Sequence, residues 1–525
     1  MKNYINFLRN YRLTCIIIMG KEVDYMIESY SSILKIRRSV FEEVAKLAYE
    51  GDYSRIEEIP YDMLKGQAKY RESIFLERAI VAERIRLAIG LPVRSADEHA
   101  PISKGIQDAI ITKRFYEPPL VNVIDFACNA CPTVSYHVTD ACEGCLANPC
   151  ANVCPKDAIK IQNGMSHINQ ELCIKCGRCL DVCPYKAIVH RQRPCEKACG
   201  MHAIESDEFG RAKINYSKCV SCGMCLVNCP FGAIADKSQI FQIIQSIKAN
   251  DEVYAIMAPA FVGQFGPKVN LKTIDDAMEQ LGFKGVYEVS IGADLCTYEE
   301  AEDFLKNVPS KLNFMGTSCC PSWSVMAKME FPEYKDHISM ALTPMVLTAR
   351  LVKKEHPNCK IVFVGPCSAK KLEASRTSVR SDVDFVLTFE ELMGMFSAKK
   401  VDFTKLKEKP LKNITTADGR GFAVAGGVAQ AVVNTIKKTN PDREIKVASA
   451  QGLENCRKLL KDAVAGKYDG YLLEGMACPH GCISGAGTLS LYNKTKGMVE
   501  VSKREATKKN VTESEFLDRL HSLEK

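Results

Sequence analysis

Two stretches of the chain share one spacing of thiols: Cys173, Cys176, Cys179 and Cys183 before Pro184, and Cys219, Cys222, Cys225 and Cys229 before Pro230. The pattern C-x2-C-x2-C-x3-C-P puts three thiolates on one tight loop and a fourth just beyond it, which suits a four-iron cubane whose neighbour receives the last sulfur. The chemistry on offer is one-electron transfer. Sixteen of the 25 cysteines lie between Cys128 and Cys229 in such groupings. Disulfides at this density belong to small secreted chains; in 525 residues the paired thiols point instead to metal ligation in a reducing, cytoplasmic setting. The formal net charge of +7 counts every cysteine as neutral. A cubane with its four thiolates carries roughly −2, so five of them would bring the chain to about −3. No Lys/Arg block interleaved with aromatics argues for a nucleic-acid partner.

Both runs match the bacterial ferredoxin signature. Upstream, Cys142, Cys145, Cys150 and Cys154 in CEGCLANPCANVCP resemble the opening half of a two-cluster ferredoxin. Crossing the fourth ligands pairs Cys142, Cys145, Cys150 and Cys183 on one cluster, and Cys173, Cys176, Cys179 and Cys154 on another. CEKACGMHAI from Cys195 copies the spacing of CANVCPKDAI from Cys150, so the unit is duplicated. The same logic gives a third cluster on Cys199, Cys219, Cys222 and Cys225. A fourth is expected on Cys195 and Cys229 with Cys128 and Cys131, whose alternative role is a redox dithiol.

Such a module passes electrons and needs a site that uses them. TSCCPSW from Thr317, GPCSAKKLEA from Gly365 and EGMACPHGCISGAG from Glu474 resemble, in order, the three signatures of FeFe hydrogenases, and the likeness looks closest to the group B branch. It implies reversible interconversion of protons, electrons and dihydrogen, with a ferredoxin hydrogenase activity under anaerobic conditions. The implied cofactors are a 4Fe-4S cluster held by Cys320, Cys367, Cys478 and Cys482, and a diiron subcluster with CO, CN and a bridging dithiolate, installed by hydrogenase maturation enzymes and bridged through Cys482. Four cysteines on three loops are the number a cubane needs. Cys319, whose side chain cannot share the direction of Cys320, is by resemblance the proton-relay thiol. Glu300 matches the family glutamate behind it, Ser339 the family serine, and Asp303 stands where a second glutamate is common; Asn307 replaces an arginine. Lys370 matches a lysine that hydrogen-bonds a cyanide, Pro259 and Ala260 a turn whose backbone meets cyanide, and Met476 a packing methionine. Gly365 replaces a methionine, leaving space or letting a neighbour fill it, Met345 replaces a glutamine, and GAG replaces GGG. The alternatives within this resemblance are a hydrogen sensor and a non-catalytic Nar-like iron-sulfur assembly scaffold. Cys319 and the ending in Lys525, rather than Trp, argue against the scaffold.

These residues need elements to hold them. Tyr25 to Leu91 reads as helical, with EEVAKLAYEG and ERAIVAERIRLAIG apolar at i, i+3 and i+4 and their charges expected on solvated faces. VYAIMAPA, KIVFVGPC and YDGYLLEGMAC read as buried strands ending in loops, and loops at strand ends carry function in α/β folds. The expected architecture is an N-terminal helical region (1–120), a tandem ferredoxin-like α+β domain (121–240), an α/β catalytic domain built around the active-site cluster (241–490) and a tail (491–525) with a short closing helix. The first twenty residues hold a short apolar stretch, Cys15 to Met19, too short for an h-region or a membrane span; translation starting at Met19 or Met26 fits it. A monomer with no membrane association and a ferredoxin-like electron carrier as partner is expected.

Overall fold

A computed structural model describes residues 32–523 except 96, 111–117 and 412–413; the signal-like stretch, Cys15 and Lys525 lie outside the described residues. Helix α1 (Ser32–Glu50) buries Val40, Phe41, Val44, Ala45, Leu47 and Ala48, the i, i+3, i+4 stripe of an amphipathic helix. Helix α2 (Ile74–Ile89) departs from expectation. Its charges are not solvated: Glu77, Glu83, Arg84 and Arg86 are all buried. Each has work to do on backbone that lacks other partners. Glu77 accepts from the amides of Lys69 and Arg71, Arg86 donates to the carbonyls of Pro92, Ile102 and Lys104, Glu83 pairs with Arg94 at 2.7 Å, and Arg84 reaches the carbonyl of Gly232 in the cysteine-rich domain.

That domain is built from short antiparallel pairs. Strand β1 (Val121–Val123) pairs with β8 (Ile234–Asp236), β2 (Ser135–Val138) with β5 (Ile188–Arg191), β3 (Ile159–Gln162) with β4 (Met165–Ile168), and β6 (Ile204–Ser206) with β7 (Ala212–Ile214). The two ferredoxin-like units are nested, not consecutive. The β2–β5 ribbon and everything it encloses sit between Cys131 and Cys195, so the first unit interrupts the second. Ser135 pairs with Arg191, so the insertion starts and ends at one place.

The C-terminal half contains two parallel sheets. One has the order β10 (Gly285–Glu288), β9 (Val253–Met257), β12 (Lys360–Gly365), β13 (Phe385–Thr388); the other has β11 (Phe314–Gly316), β15 (Tyr471–Met476), β14 (Lys446–Gln451). Strands β9, β12 and β15 are apolar and almost wholly buried, as covering on both faces demands. Helix α3 (Ser290–Asn307) follows β10, and α4 (Pro321–Glu330) follows β11. The tail begins with a helix at Tyr492–Glu505, longer than expected. Among the described residues no helix is long and apolar enough to cross a membrane.

The three parts meet at a buried ion cluster. Lys371, fully buried, contacts Asp236 and Glu391 at 2.7 Å each, and Arg37 of α1 pairs with Glu390. A charge removed from water is tolerated only when paired in this way.

Candidate metal centre

Every loop carrying a signature cysteine leaves the C-terminal end of a parallel strand. Cys319 and Cys320 follow β11, Cys367 follows β12, and Cys478 and Cys482 follow β15, while Pro259 and Ala260 follow β9. The strands therefore deliver all of them to one cavity of about 840 Å³, lined by Cys319, Cys320, Cys367, Cys478 and Cys482 together with Lys370, Pro259, Ala260 and Met476. Met345 and Phe363 complete its mostly apolar wall. Burial pushes the Cys367 thiol up to about 11, Cys482 up to about 12 and Cys478 well above the ordinary range. Four such groups become thiolates here only beside strongly positive metal.

Lys370 stands on the cavity wall with its ammonium engaged by Glu373 at 2.7 Å, and Thr343 holds the other oxygen of that carboxylate at 2.5 Å. Burial alone would lower Lys370, yet Glu373 more than offsets it and the amine stays charged. Glu373, three residues on in a helix, is a signal the i,i+3 spacing carries; Thr343 has none. At Gly365 the vacated volume is filled by a neighbour: a Cβ there would lie 2.6 Å from the Phe363 ring and 3.1 Å from Ala258 Cβ.

Behind Cys319 lies Glu300, fully buried on α3. Its Oε1 accepts from Ser318 N at 2.8 Å, with Ser318 Oγ at 3.1 Å, while Oε2 has no hydrogen bond. Ser339, also buried, adjoins the same carboxylate while its hydroxyl accepts from Ala341 N at 3.2 Å. Burial, opposed by the Ser318 amide, sets Glu300 at about 7. The Cys319 thiol is held well above its usual range by burial and then by the charge of Glu300. Asp303, half-buried one turn further along α3, is also raised by burial; Asn307 donates to the Asp303 carbonyl at 2.9 Å and so closes the helix end. Cys296, buried one turn before Glu300, has no sequence signal.

Three of the four expected ferredoxin-type sets each line a cavity of their own. Cys154, Cys173, Cys176 and Cys179 line one cavity of about 330 Å³, Cys199, Cys219, Cys222 and Cys225 one of about 360 Å³, and Cys128, Cys131, Cys195 and Cys229 one of about 310 Å³. Cys142 and Cys150 meet at Ser166, whose amide lies 3.5 Å from Cys142 Sγ and whose hydroxyl lies 3.2 Å from Cys150 Sγ. Amide-to-sulfur hydrogen bonds repeat between the units. Ala158 N and Ala203 N donate to Cys154 and Cys199, Ala187 N and Ala233 N to Cys183 and Cys229, each at 3.3 to 3.4 Å. Ser166 N on Cys142 has its counterpart in Ala212 N on Cys128 at 3.3 Å, which places Cys128 at the first position of the interrupted unit. Among the described residues no three metal-binding side chains converge on a point fit for a single ion; the sulfurs ring cluster-sized spaces. The donor sets fit 4Fe-4S clusters.

Comparisons with known proteins agree. Residues 251–486 match the model described as iron only hydrogenase large subunit, C-terminal domain; residues 142–192 match an LdpA Fe-S cluster-binding domain and 172–233 a 4Fe-4S dicluster domain. The last match joins halves of two nested units. The chain binds iron-sulfur clusters and belongs to the FeFe hydrogenase family. It is 27% identical over 406 residues to iron hydrogenase 1 of Clostridium pasteurianum, covering 67% of this chain and 70% of that protein. It is 29% identical over 255 residues to the periplasmic Fe hydrogenase large subunit of Nitratidesulfovibrio vulgaris, covering 40% of this chain and 61% of that protein. Protein NAR1 of Arabidopsis thaliana is 25% identical over 328 residues, covering 48% of this chain and 69% of that protein.

Proposed function

We propose that this protein is a hydrogenase that interconverts protons, electrons and dihydrogen, fed through ferredoxin-type clusters by a low-potential carrier such as ferredoxin. The observation that carries this reading is the thiol left over on the strand-end loops: Cys320, Cys367, Cys478 and Cys482 suffice for a cubane, and Cys319 remains beside a buried carboxyl. When bound, the diiron unit supplies the two-electron chemistry of dihydrogen. The chain's own residues do the rest. Cys320, Cys367, Cys478 and Cys482 would hold the cofactor, and Phe363, Phe422 and Met345 give its cavity an apolar wall. Lys370, kept charged by Glu373 on the cavity wall, would offer its ammonium to anionic ligands of such a group. Glu300 near 7 can give and take a proton at neutral pH, and its unbonded Oε2 is the atom free to do so. Cys319, held protonated by burial, passes that proton onward and recovers it from Glu300. The rival reading is a cluster scaffold, favoured by the likeness to Protein NAR1; it gives Cys319 and Glu300 no task. Infrared spectroscopy of protein produced anaerobically with the maturation enzymes separates them. Carbonyl and cyanide bands are expected, and their absence from a cluster-replete sample would remove the hydrogenase reading.

A further inference from the structure

The nesting of the two units fixes more than their ligands. The β2–β5 ribbon is the stalk of the inserted unit. At its root, Ser135 and Arg191 lead within four residues to Cys131 and Cys195, and Arg193 donates twice to the Cys131 carbonyl, at 3.1 and 3.0 Å. The root therefore stands on the Cys128, Cys131, Cys195, Cys229 set. Tyr136, the second residue of the stalk, lines the cavity of Cys154, Cys173, Cys176 and Cys179. At the far end, Thr139 N donates to Ala187 O and Cys142 N to Thr139 O, and Ala187 N donates to Cys183. This end carries the Cys142, Cys145, Cys150, Cys183 set, beside which Leu146 is 98% exposed.

The interrupted unit has the same polarity. Val121 of β1 lines the Cys199, Cys219, Cys222, Cys225 cavity as Tyr136 lines its counterpart. Cys222 also lines the large catalytic cavity. A Cβ on Gly223 would meet Ala486 Cβ at 2.5 Å and Ser368 Oγ at 3.1 Å, both on loops of the catalytic centre; at the equivalent Gly177 it would meet the Tyr136 hydroxyl at 2.8 Å. In each unit the same turn is closed by a close neighbour, the stalk tyrosine in one and the catalytic loops in the other.

We infer that the two units are strung head to tail, so that the four cysteine sets form one line: the Cys142 set outermost, then the Cys173 set, then the Cys128/Cys195 set, then the Cys219 set against the catalytic cavity. This rests on the cluster-binding reading of the four sets. An electron delivered by a one-electron protein reductant of low potential moves inward by reducing each cluster in turn while the one before it is reoxidised, with no bond made or broken.

The test removes one outer set at a time from the full-length holoprotein. Cys142→Ser/Cys145→Ser and Cys173→Ser/Cys176→Ser are each compared with wild type by iron analysis and by low-temperature electron paramagnetic resonance after dithionite reduction. Loss of about four irons in each supports the ligand sets. With the outermost set gone, the surviving outer cluster should remain magnetically broadened by its inner neighbour. With the Cys173 set gone, the surviving cluster should give a narrow, slowly relaxing signal. The reverse assignment, or equal coupling in both variants, would overturn the order while leaving the ligand sets intact. If a double variant loses about eight irons, the single variants Cys145→Ser and Cys176→Ser, which keep three thiolates, carry the same comparison.

Discussion

Cys319 is the residue on which catalysis and scaffolding part. A cubane is complete without it, so Cys319→Ala should keep its iron and its carbonyl bands while hydrogen turnover falls by about 10² to 10⁴-fold, the usual cost of losing a general acid-base group; turnover within a few-fold of wild type would exclude the relay. At Gly365 the expectation is steric. Methionine there must displace the Phe363 ring, 2.6 Å from its Cβ position. Gly365→Met should therefore destabilise the protein by about 1–3 kcal/mol, the cost of overpacking, and adding Phe363→Ala should restore the melting temperature and shift the carbonyl bands. The cysteines were legible in sequence because a cluster imposes fixed spacings along the chain. Phe363, Thr343 and Ser318 were not, because what matters about them is a neighbour distant in sequence or a backbone amide.

At the scale of elements, strand-end loops were readable from buried apolar runs ending in cysteine, and the structure hangs five of the six cavity thiols from β11, β12 and β15, the sixth being Cys222 of the cysteine-rich domain. The helix α2 was read wrongly in one respect. Its Glu and Arg residues have the spacing of a solvated face, yet they satisfy backbone groups of loops packed around it, which only tertiary contact reveals. Helix α3 offers a measurable consequence. Asp294, fully buried, accepts from Thr416 Oγ1 at 2.6 Å and Thr416 N at 3.3 Å. Burial outweighs these bonds and raises it from 3.8 to about 7. The folded chain then holds this proton more tightly than the unfolded one, so the stability it contributes is complete below pH 4 and is lost as pH rises through 7, up to about 4 kcal/mol. Asp294→Asn should flatten that slope, and thermal unfolding of both proteins at pH 5 and pH 8 checks it; parallel losses would refute the assignment.

For the whole molecule, the proposed four ferredoxin-type cubanes and six-iron active site would amount to about 22 irons per chain. The nesting predicts how they divide. Ser135 and Arg191 are paired, roughly 5 Å apart as antiparallel partners are. Excising Ser135–Arg191 and joining Val134 to Gln192 through one glycine should therefore leave a folded protein with about 14 irons. The Cys128/Cys195 set should survive, and iron near 10 would mean that it depends on the insertion. Duplication was visible in the repeated spacing, and the crossed pairing followed from it. Cys128 and Cys131 were assigned to Cys195 and Cys229 by counting thiols across a complete intervening unit; the structure adds the cavity the four share and the amide of Ala212 on Cys128, mirroring Ser166 N on Cys142.

The same interruption sets a schedule for synthesis. Cys128 and Cys131 leave the ribosome before the inserted unit, and Cys195 and Cys229 after it. At elongation rates of about 5–20 residues per second, the first pair waits roughly five to twenty seconds for its partners. Before that interval ends the inserted unit has all eight of its thiols, so it can accept iron before the set at its root is complete. The pair at its root spends the same seconds as two unmatched thiols, the moment at which the nascent chain is most open to oxidation.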